Sequence, residues 1–189
     1  MKYFKKVIGK KCYLSPINVD DAGKYTEWLS DSELSINLLF SGQIISVGKE
    51  KEILERLSKS NNHFAIIDLE TDKLLGNCGL ENVNMTNRNA EVGLFIGDKE
   101  NWNKGYGTEA LKLLLDFAFN IRNLNNIILH VFAFNERAIK SYKKVGFKEI
   151  GRRRKSYFLA GEYYDEISMD ILSDEYESIY YKDVMDCIL

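Results

Sequence analysis

The chain has 189 residues, of which 45% are hydrophobic and 29% are charged, and its formal net charge is −2. This length and composition are typical of one soluble globular domain with a substantial core. The charge balance gives no electrostatic reason to expect nucleic acid or an anionic membrane as a partner. Cys12, Cys78 and Cys187 are odd in number and lack metal-ligand spacing, which predicts a cytoplasmic protein without a metal site.

Period-2 alternation between turn residues predicts strands, and apolar residues at helical spacing predict helices. The elements predicted for the first half of the chain are a strand (11–16), a helix (19–30), an irregular apolar segment (32–47), a second helix (48–60) and a hairpin of two strands (63–68 and 74–83). In the irregular segment, Leu38, Leu39 and Phe40 are expected to be packed in the core or to line a pocket.

The segment 90–122 is predicted to contain a strand, a polar loop and a helix. Val92, Leu94 and Ile96 alternate with Glu91, Gly93 and Phe95, which is typical of a half-buried strand. The loop covers residues 98–104, and the short sequence Gly105-Tyr106-Gly107-Thr108 leads into the helix. The apolar residues of the helix fall on one face: Leu111, Leu114, Leu115, Ala118 and Phe119.

The start of this helix is a candidate anion site. N–H groups in the first turn of a helix lack intrahelical partners, and the helix dipole adds partial positive charge there. Glycines remove the side chains that would keep a phosphate away, so Lys104 to Thr108 is predicted to cradle a pyrophosphate. The alternative is a glycine-containing connection that only caps a surface helix. The chain lacks both the P-loop pattern and G-x-G-x-x-G, which excludes those two nucleotide sites.

The second half of the chain is predicted to complete a sheet. Residues 127–132 form a continuous apolar run typical of a buried strand, and Asn135 and Gly146 are suited to begin and end the next helix. Residues 148–155 and 162–172 are predicted to form a closing hairpin, with Ala160-Gly161 at the turn. A C-terminal helix is expected over 173–189, with one apolar stripe of Tyr176, Ile179, Tyr180 and Val184.

Two of these segments resemble motifs of the GNAT N-acetyltransferases. The pattern [QR]-x-x-G-x-[GA], which binds the pyrophosphate of acetyl-CoA in that family, aligns with residues 102–107, where Trp102 replaces the usual Gln or Arg. The second motif, N-x-x-[AS]-x-x-x-Y-x-x-x-G-F, is matched throughout residues 135–147. The first segment looks most like the branch that includes ribosomal-protein alanine N-acetyltransferases and spermidine N-acetyltransferases.

The resemblance implies a fold of the α/β (α+β) class. A mixed, mostly antiparallel central sheet of about six to seven strands would be flanked by about four helices, with a C-terminal helix in addition. The single domain would occupy residues 1–189, with its core at about 11–172 and the C-terminal helix at about 173–189.

The resemblance also implies acetyl-CoA as cosubstrate and assigns roles to particular residues. Tyr142 would protonate the leaving thiolate, Asn135 would contact or orient the pantetheine arm, and a backbone N–H within Leu94–Ile96 would stabilise the oxyanion. The full set of predicted cofactor-binding residues is Leu94, Phe95, Ile96, Trp102, Asn103, Lys104, Gly105, Tyr106, Gly107, Thr108 and Asn135.

The predicted chemistry is direct attack of an amine on acetyl-CoA. No histidine lies near Cys78 in the sequence, which argues against an acetyl-cysteine intermediate. Glu91 is the candidate base that removes the amine proton, Glu81 is the reserve candidate, and a water chain is a further alternative. Glu91 is also predicted, as an alternative, to be an exposed strand-end carboxylate or to bind the ammonium group.

The acceptor is left open by the sequence. The resemblance favours a protein or peptide N-terminal α-amine or a polyamine, and an aminoglycoside or amino sugar is the alternative. Glu33, Glu162 and Asp165 are candidates to hold a cationic acceptor. A non-catalytic CoA-binding module and a nucleic-acid factor using residues 152–155 are hypotheses of other classes, and a monomer or a homodimer fits the sequence equally well.

Overall fold

The computed structural model describes residues 2–38 and 42–181. Eight strands in these ranges form one mixed sheet in the order β1-β2-β3-β4-β5-β6-β8-β7. Their bounds are Val7–Ile8 (β1), Cys12–Pro16 (β2), His63–Asp68 (β3), Leu74–Asn84 (β4), Asn89–Ile96 (β5), Asn126–Phe132 (β6), Lys148–Leu159 (β7) and Glu162–Leu172 (β8). The mostly antiparallel sheet is therefore confirmed, and its extra strand is the two-residue β1, which is too short to show alternation.

The α-helices of the described residues are Ala22–Ser30 (α1), Ser32–Ser35 (α2), Val47–Lys59 (α3), Tyr106–Asp116 (α4) and Glu136–Val145 (α5). A 3₁₀ turn, Val19–Asp21, precedes α1, and a π-helical turn, Phe117–Ile121, continues α4. The segment predicted to be irregular begins with α2, which Asp31 caps by accepting hydrogen bonds from the amides of Glu33 and Leu34. Leu39 and Phe40, for which a core or pocket position was predicted, lie outside the described residues.

The chain divides into two compact units, and the first comprises Met1–Gly79 and Leu94–Leu113. In this unit, β1 to β4 pair in antiparallel order along the chain. The buried face of α1 contributes Tyr25 and Trp28, whose rings pack edge-to-face with each other and with Phe95. Leu54 of α3 is fully buried in the same core, as its helical spacing predicts.

The second unit comprises Leu80–Gly93 and Leu114–Leu189. In this unit, residues 89–91 of β5 run parallel to β6, while β8 lies between β6 and β7 and is antiparallel to both. One face of β6 and β8 is buried, through Ile127, Leu129, Val131, Ile167, Met169 and Ile171. The hairpin turn at Ala160-Gly161 is confirmed, since both residues have a positive φ. A single domain over residues 1–189 stays a prediction.

The predicted C-terminal helix is wrong over residues 173–180. This segment starts with a single 3₁₀ turn, Ser173–Glu175, and continues without regular structure. The reason is the buried carboxylate of Asp116, which accepts hydrogen bonds from the backbone N–H groups of Ile179 and Tyr180 and from the hydroxyl group of Tyr176. These contacts replace the helical ladder, and residues 182–189, with Val184 of the predicted stripe, lie outside the described residues.

Candidate active site

The loop that carries the predicted pyrophosphate cradle, Trp102–Thr108, is called the cofactor loop below. Gly105 has a φ of 87°, which L-residues rarely adopt, and Asn103 has a φ of 59°. The helix α4 starts directly after Gly105, and its first hydrogen bond runs from the Glu109 N–H to the Gly105 carbonyl at 3.0 Å. The helix start thus follows a glycine turn, as in helix N-termini that bind anions.

The two glycines of the loop have different surroundings. A Cβ atom added to Gly105 would meet no atom within 4 Å, so the exposed side of the turn is open. A Cβ atom on Gly107 would lie 3.5 Å from Leu94 Cδ2 and 3.6 Å from Ile96 Cγ1. The structure therefore brings the helix start together with the end of β5, two of the segments predicted to bind the cofactor. Phe95 points to the other face, against Trp28, so only its backbone is available on this side.

Side chains on either side of the cofactor loop hold it in place. Trp102 Nε1 donates a hydrogen bond to the Ile96 carbonyl at 2.8 Å, and the ring packs against the core of the first unit. The Tyr106 hydroxyl group donates to Asp68 Oδ2 at 2.6 Å. Trp102 thus occupies the first position of the family pattern as a structural anchor of the loop.

The start of α4 is anchored by a second carboxylate. Glu109, in the first turn of α4, accepts hydrogen bonds from the backbone N–H groups of Lys10, Lys11 and Cys12 at 2.7 to 3.0 Å. The ammonium group of Lys11 in turn donates to the Lys104 carbonyl at 3.0 Å. The turn between β1 and β2 therefore fixes both the loop and the helix start.

The charge of Asp68 is stabilised by its donors. Burial alone would raise the pKa of this carboxyl group, but hydrogen bonds from Tyr106, from the hydroxyl and amide of Thr71 and from the Glu70 amide outweigh burial and lower the pKa. Asp68 is therefore ionised at neutral pH and acts as a fixed acceptor for the Tyr106 hydroxyl group.

Helix α5 carries the second motif and is formed as predicted. Asn135 caps it by accepting a hydrogen bond from the Ala138 amide at 3.1 Å, and Gly146 ends it with a φ of 119°. The half-buried phenol of Tyr142 packs against Phe147, with ring centroids 6.1 Å apart. Among the described residues its hydroxyl group makes no hydrogen bond. Burial raises the pKa of Tyr142 to about 12, although the positive charge of Arg137 acts in the opposite direction.

Glu91, the candidate base, lies on the half-buried face of β5 in the second unit, in register with Ile128 of β6. Its Oε2 atom accepts a hydrogen bond from Asn82 Nδ2 at 3.1 Å. Asn82 itself has a φ of 49°, so the backbone of β4 is irregular at this point. One carboxylate oxygen of Glu91 is thereby oriented by the neighbouring strand.

Two observations concern alternative chemistries. Cys12 and Cys78 are free and buried, and burial raises the pKa of both thiols. A buried thiol with a raised pKa is a poor nucleophile, which supports the prediction of direct attack. In the part of the chain that the structure describes, no group of three His, Cys, Asp or Glu side chains could hold a metal ion, and no helix there is both long and apolar enough to cross a membrane.

Sequence reasoning missed the residues that anchor the cofactor loop. Asp68 is 38 residues from Tyr106, and Glu109 is 98 residues from Lys11, so no local pattern links them. The only signal for Asp68 is its place at the end of a strand before Glu70-Thr71-Asp72-Lys73, where an Asp side chain commonly bonds turn amides.

Comparison with known proteins supports the two motifs. Residues 11–148 match the acetyltransferase (GNAT) domain. An uncharacterized N-acetyltransferase, p20, of Bacillus licheniformis is 27% identical over 168 residues, which cover 86% of this chain and 93% of the relative. The spermidine N(1)-acetyltransferase of Vibrio cholerae is 32% identical over 117 residues, which cover 62% of this chain and 66% of that protein.

A solved structure shows the same fold. The crystal structure of spermidine N-acetyltransferase from Vibrio cholerae in complex with CoA and spermine has a TM-score of 0.79 and 25% sequence identity, and the match covers 89% of this chain and 99% of that one. The predicted family and fold class are confirmed by these matches.

Proposed function

The chain belongs to the acetyltransferase (GNAT) family, and we propose that it transfers the acetyl group of acetyl-CoA to the primary amine of a polyamine or of a protein or peptide N-terminus. Members of this family transfer the acetyl group of acetyl-CoA, so the protein is an acyltransferase. The observation that carries the proposal is the cofactor loop, in which Gly105 at a positive φ precedes α4 and Gly107 lies against Leu94 and Ile96. The polyamine is favoured by the similarity, in sequence and in structure, to the spermidine N-acetyltransferase of Vibrio cholerae.

In this proposal the cofactor loop and the first-turn amides of α4 bind the pyrophosphate, and Asn135 orients the pantetheine arm. Acetyl-CoA supplies an acyl group that is already activated as a thioester. A backbone N–H of Leu94–Ile96 donates to the carbonyl oxygen as that oxygen gains negative charge. The nitrogen of the amine forms the new bond to the carbonyl carbon as the carbon–sulfur bond breaks.

Tyr142 is the proposed general acid that protonates the departing sulfur. Its raised pKa of about 12 keeps the phenol protonated throughout the physiological pH range. Because an ordinary thiol has a pKa of about 8.5, complete proton transfer from this phenol would be uphill by about 5 kcal/mol. We therefore expect Tyr142 to donate while the carbon–sulfur bond breaks, and not to a free thiolate in a separate step.

The amine must lose a proton before it attacks. At pH 7 an α-amino group is roughly 14% neutral, whereas an alkylamine that titrates like lysine is roughly 0.04% neutral. A polyamine acceptor therefore needs a base more than a peptide N-terminus does. Glu91 is proposed for this role because its carboxylate is oriented by Asn82, and Glu81 or a water chain are the alternatives.

The test is thiol release from acetyl-CoA over a panel of spermidine, peptides with free N-termini and an aminoglycoside. We expect turnover with one class, a fall of kcat of about 100-fold in Tyr142→Phe, and unchanged acetyl-CoA binding by calorimetry. If Glu91 is the base, Glu91→Gln should reduce the rate of polyamine acetylation more than the rate of peptide acetylation. Tight acetyl-CoA binding without turnover would favour the non-catalytic module, and an unchanged Tyr142→Phe would refute the assignment of the acid.

A further inference from the structure

The second unit contains an aromatic group next to the start of α5. The ring of Phe132, at the end of β6, stacks on Tyr157 with centroids 4.2 Å apart and on Phe134 at 5.3 Å. Phe134 meets Tyr164 edge-to-face at 4.9 Å. Phe132 is buried, but Phe134, Tyr157 and Tyr164 are each partly exposed. Three of the four rings therefore present surface to solvent.

The strand register adds one carboxylate to this group. Glu166 pairs with Phe132 across β6 and β8, and it pairs with Arg153 across β7 and β8. From this pair to Tyr157↔Tyr164, β7 advances by four residues and β8 by two, so β7 carries two extra residues. Tyr157 pairs with Tyr164, and Tyr164 lies two residues from Glu166 on β8. Because side chains two residues apart on a strand share a face, Tyr157 lies on the same face of the sheet as Tyr164, Phe132 and Glu166.

The carboxylate of Glu166 is poorly satisfied. Its side chain is only 19% exposed, yet it accepts no hydrogen bond among the described residues. Its ion-pair partner, Arg153, lies 4.0 Å away and is itself 76% exposed. On the same face of β8, by contrast, Asp170 accepts a hydrogen bond from Asn126 at 2.7 Å. With only this long ion pair to Arg153, the Glu166 carboxylate can accept a hydrogen bond from a donor that a ligand supplies.

The aromatic group also lies next in sequence to Asn135, a proposed cofactor-binding residue. Phe134 immediately precedes Asn135, the N-cap of α5, to which the proposed function gives the pantetheine contact. Aromatic faces attract ammonium groups within about 6 Å and also pack against methylene chains. A carboxylate adds a charge-assisted hydrogen bond. Rings beside a single carboxylate are thus complementary to an ammonium group on an alkyl chain.

We propose that Phe132, Phe134, Tyr157, Tyr164 and Glu166, here called the acceptor cluster, bind an ammonium group of a polyamine other than the one that is acetylated. The inference rests on the proposed function and narrows it from amines in general to amines with more than one charge. The rings contact the methylene chain, and Glu166 accepts the hydrogen bond of the ammonium group. Arg153 moves into solvent when the ligand arrives.

The test compares spermidine with hexylamine, an alkylamine that carries only one ammonium group. Glu166→Gln should raise the KM for spermidine about tenfold, because it removes a charge-assisted hydrogen bond, and should leave the KM for hexylamine unchanged. Tyr157→Leu, which keeps apolar volume, should raise the spermidine KM about threefold. The control is Glu55→Gln, which removes an exposed carboxylate on α3 and should change neither.

Equal effects of Glu166→Gln and Glu55→Gln on the KM for spermidine, or equal effects of Glu166→Gln on both amines, would overturn the acceptor cluster. Equilibrium binding of spermidine, measured by calorimetry on the full chain, separates this proposal from the proposed function. If the protein binds spermidine, more weakly in Glu166→Gln, but acetylates no amine, the cluster stands and the proposed function fails. If the protein acetylates a peptide but does not bind spermidine at millimolar concentration, the cluster is wrong and the proposed function stands.

Discussion

The cofactor loop and the acceptor cluster are built in opposite ways. The loop is held by hydrogen bonds on all sides, through Trp102, Tyr106 and Glu109, and every carboxylate that supports it has donors. The acceptor cluster is held by ring packing, and its one carboxylate, Glu166, accepts no hydrogen bond among the described residues. The difference matches what each would bind under the proposed function.

Under the proposed function, the loop binds the same cosubstrate in every turnover. Backbone amides would then suffice for recognition, and the surrounding side chains would keep the loop rigid. In the proposal the acceptor is recognised by side chains, and the carboxylate of Glu166 makes binding depend on a cation that donates to it. Substitutions that loosen the loop should therefore change the KM for acetyl-CoA. Substitutions in the cluster should change only the KM for the amine.

The largest expected effect that tests the rigid side of this comparison is that of Gly105→Ala. At a φ of 87° an alanine is strained by about 1–2 kcal/mol. We expect the free energy of unfolding to fall by that amount and the KM for acetyl-CoA to rise about tenfold, with the amine KM unchanged. Denaturant titration and steady-state kinetics measure the two effects.

The matched control is Gly23→Ala, in α1. Like Gly105, Gly23 is exposed and an added Cβ atom would meet nothing within 4 Å, but it lies in a helix. There alanine should stabilise the protein by about 0.5–1 kcal/mol. If both substitutions changed the free energy of unfolding in the same direction, the positive φ of Gly105 would not explain why this position is a glycine.

A smaller effect is expected for Tyr106→Phe, which removes the hydrogen bond to Asp68. Hydrogen bonds to charged groups contribute about 1.5 kcal/mol or more, so the free energy of unfolding should fall by about that amount at pH 7. The loop loses one anchor, and the KM for acetyl-CoA should rise about fivefold. Tyr163→Phe, at an exposed tyrosine, is the control and should change neither quantity.

The pH dependence of this variant tests the charge of Asp68. The folded state lowers the pKa of Asp68 below its ordinary value of 3.8, so the carboxylate stabilises the fold above that pH. This contribution disappears as the pH falls through the lowered pKa. The stability difference between the native protein and Tyr106→Phe should therefore be full at pH 7 and shrink below pH 3.8. A difference that is constant down to pH 2 would show that Asp68 is not the partner that matters.

The same two regions show what could be predicted from the sequence. The glycines of the cofactor loop and the caps of α5 were predicted because each is encoded within a few consecutive residues. The anchors of the loop were not, since Asp68 and Glu109 act on residues far away in the chain. The C-terminal segment has helical spacing, but the buried carboxylate of Asp116 captures its backbone, and such tertiary competition leaves no local signal.

The acceptor cluster was missed for a related reason. The strand was predicted to end at residue 155, but β7 continues to Leu159 past an irregularity between Arg153 and Tyr157. Lys155 there has a φ of 51°, and its N–H donates to Asp165 Oδ1 at 2.9 Å. Asp165 was predicted as a candidate acceptor ligand, and that role stays a prediction. Its carboxylate holds this bulge, next to Tyr157 of the cluster.

The smallest expected effect tests this positioning role of Asp165. Asp165→Ala removes the acceptor of the Lys155 N–H, which frees the bulge and loosens Tyr157, so the KM for spermidine should rise about threefold while kcat stays the same. Asp165→Asn keeps an oxygen that can accept the same hydrogen bond and should remain close to the native value. A loss of activity in both variants would mean that the charge of Asp165 contacts the amine directly. No change in Asp165→Ala would show that ring packing alone holds Tyr157, and the acceptor cluster would then be as rigid as the cofactor loop.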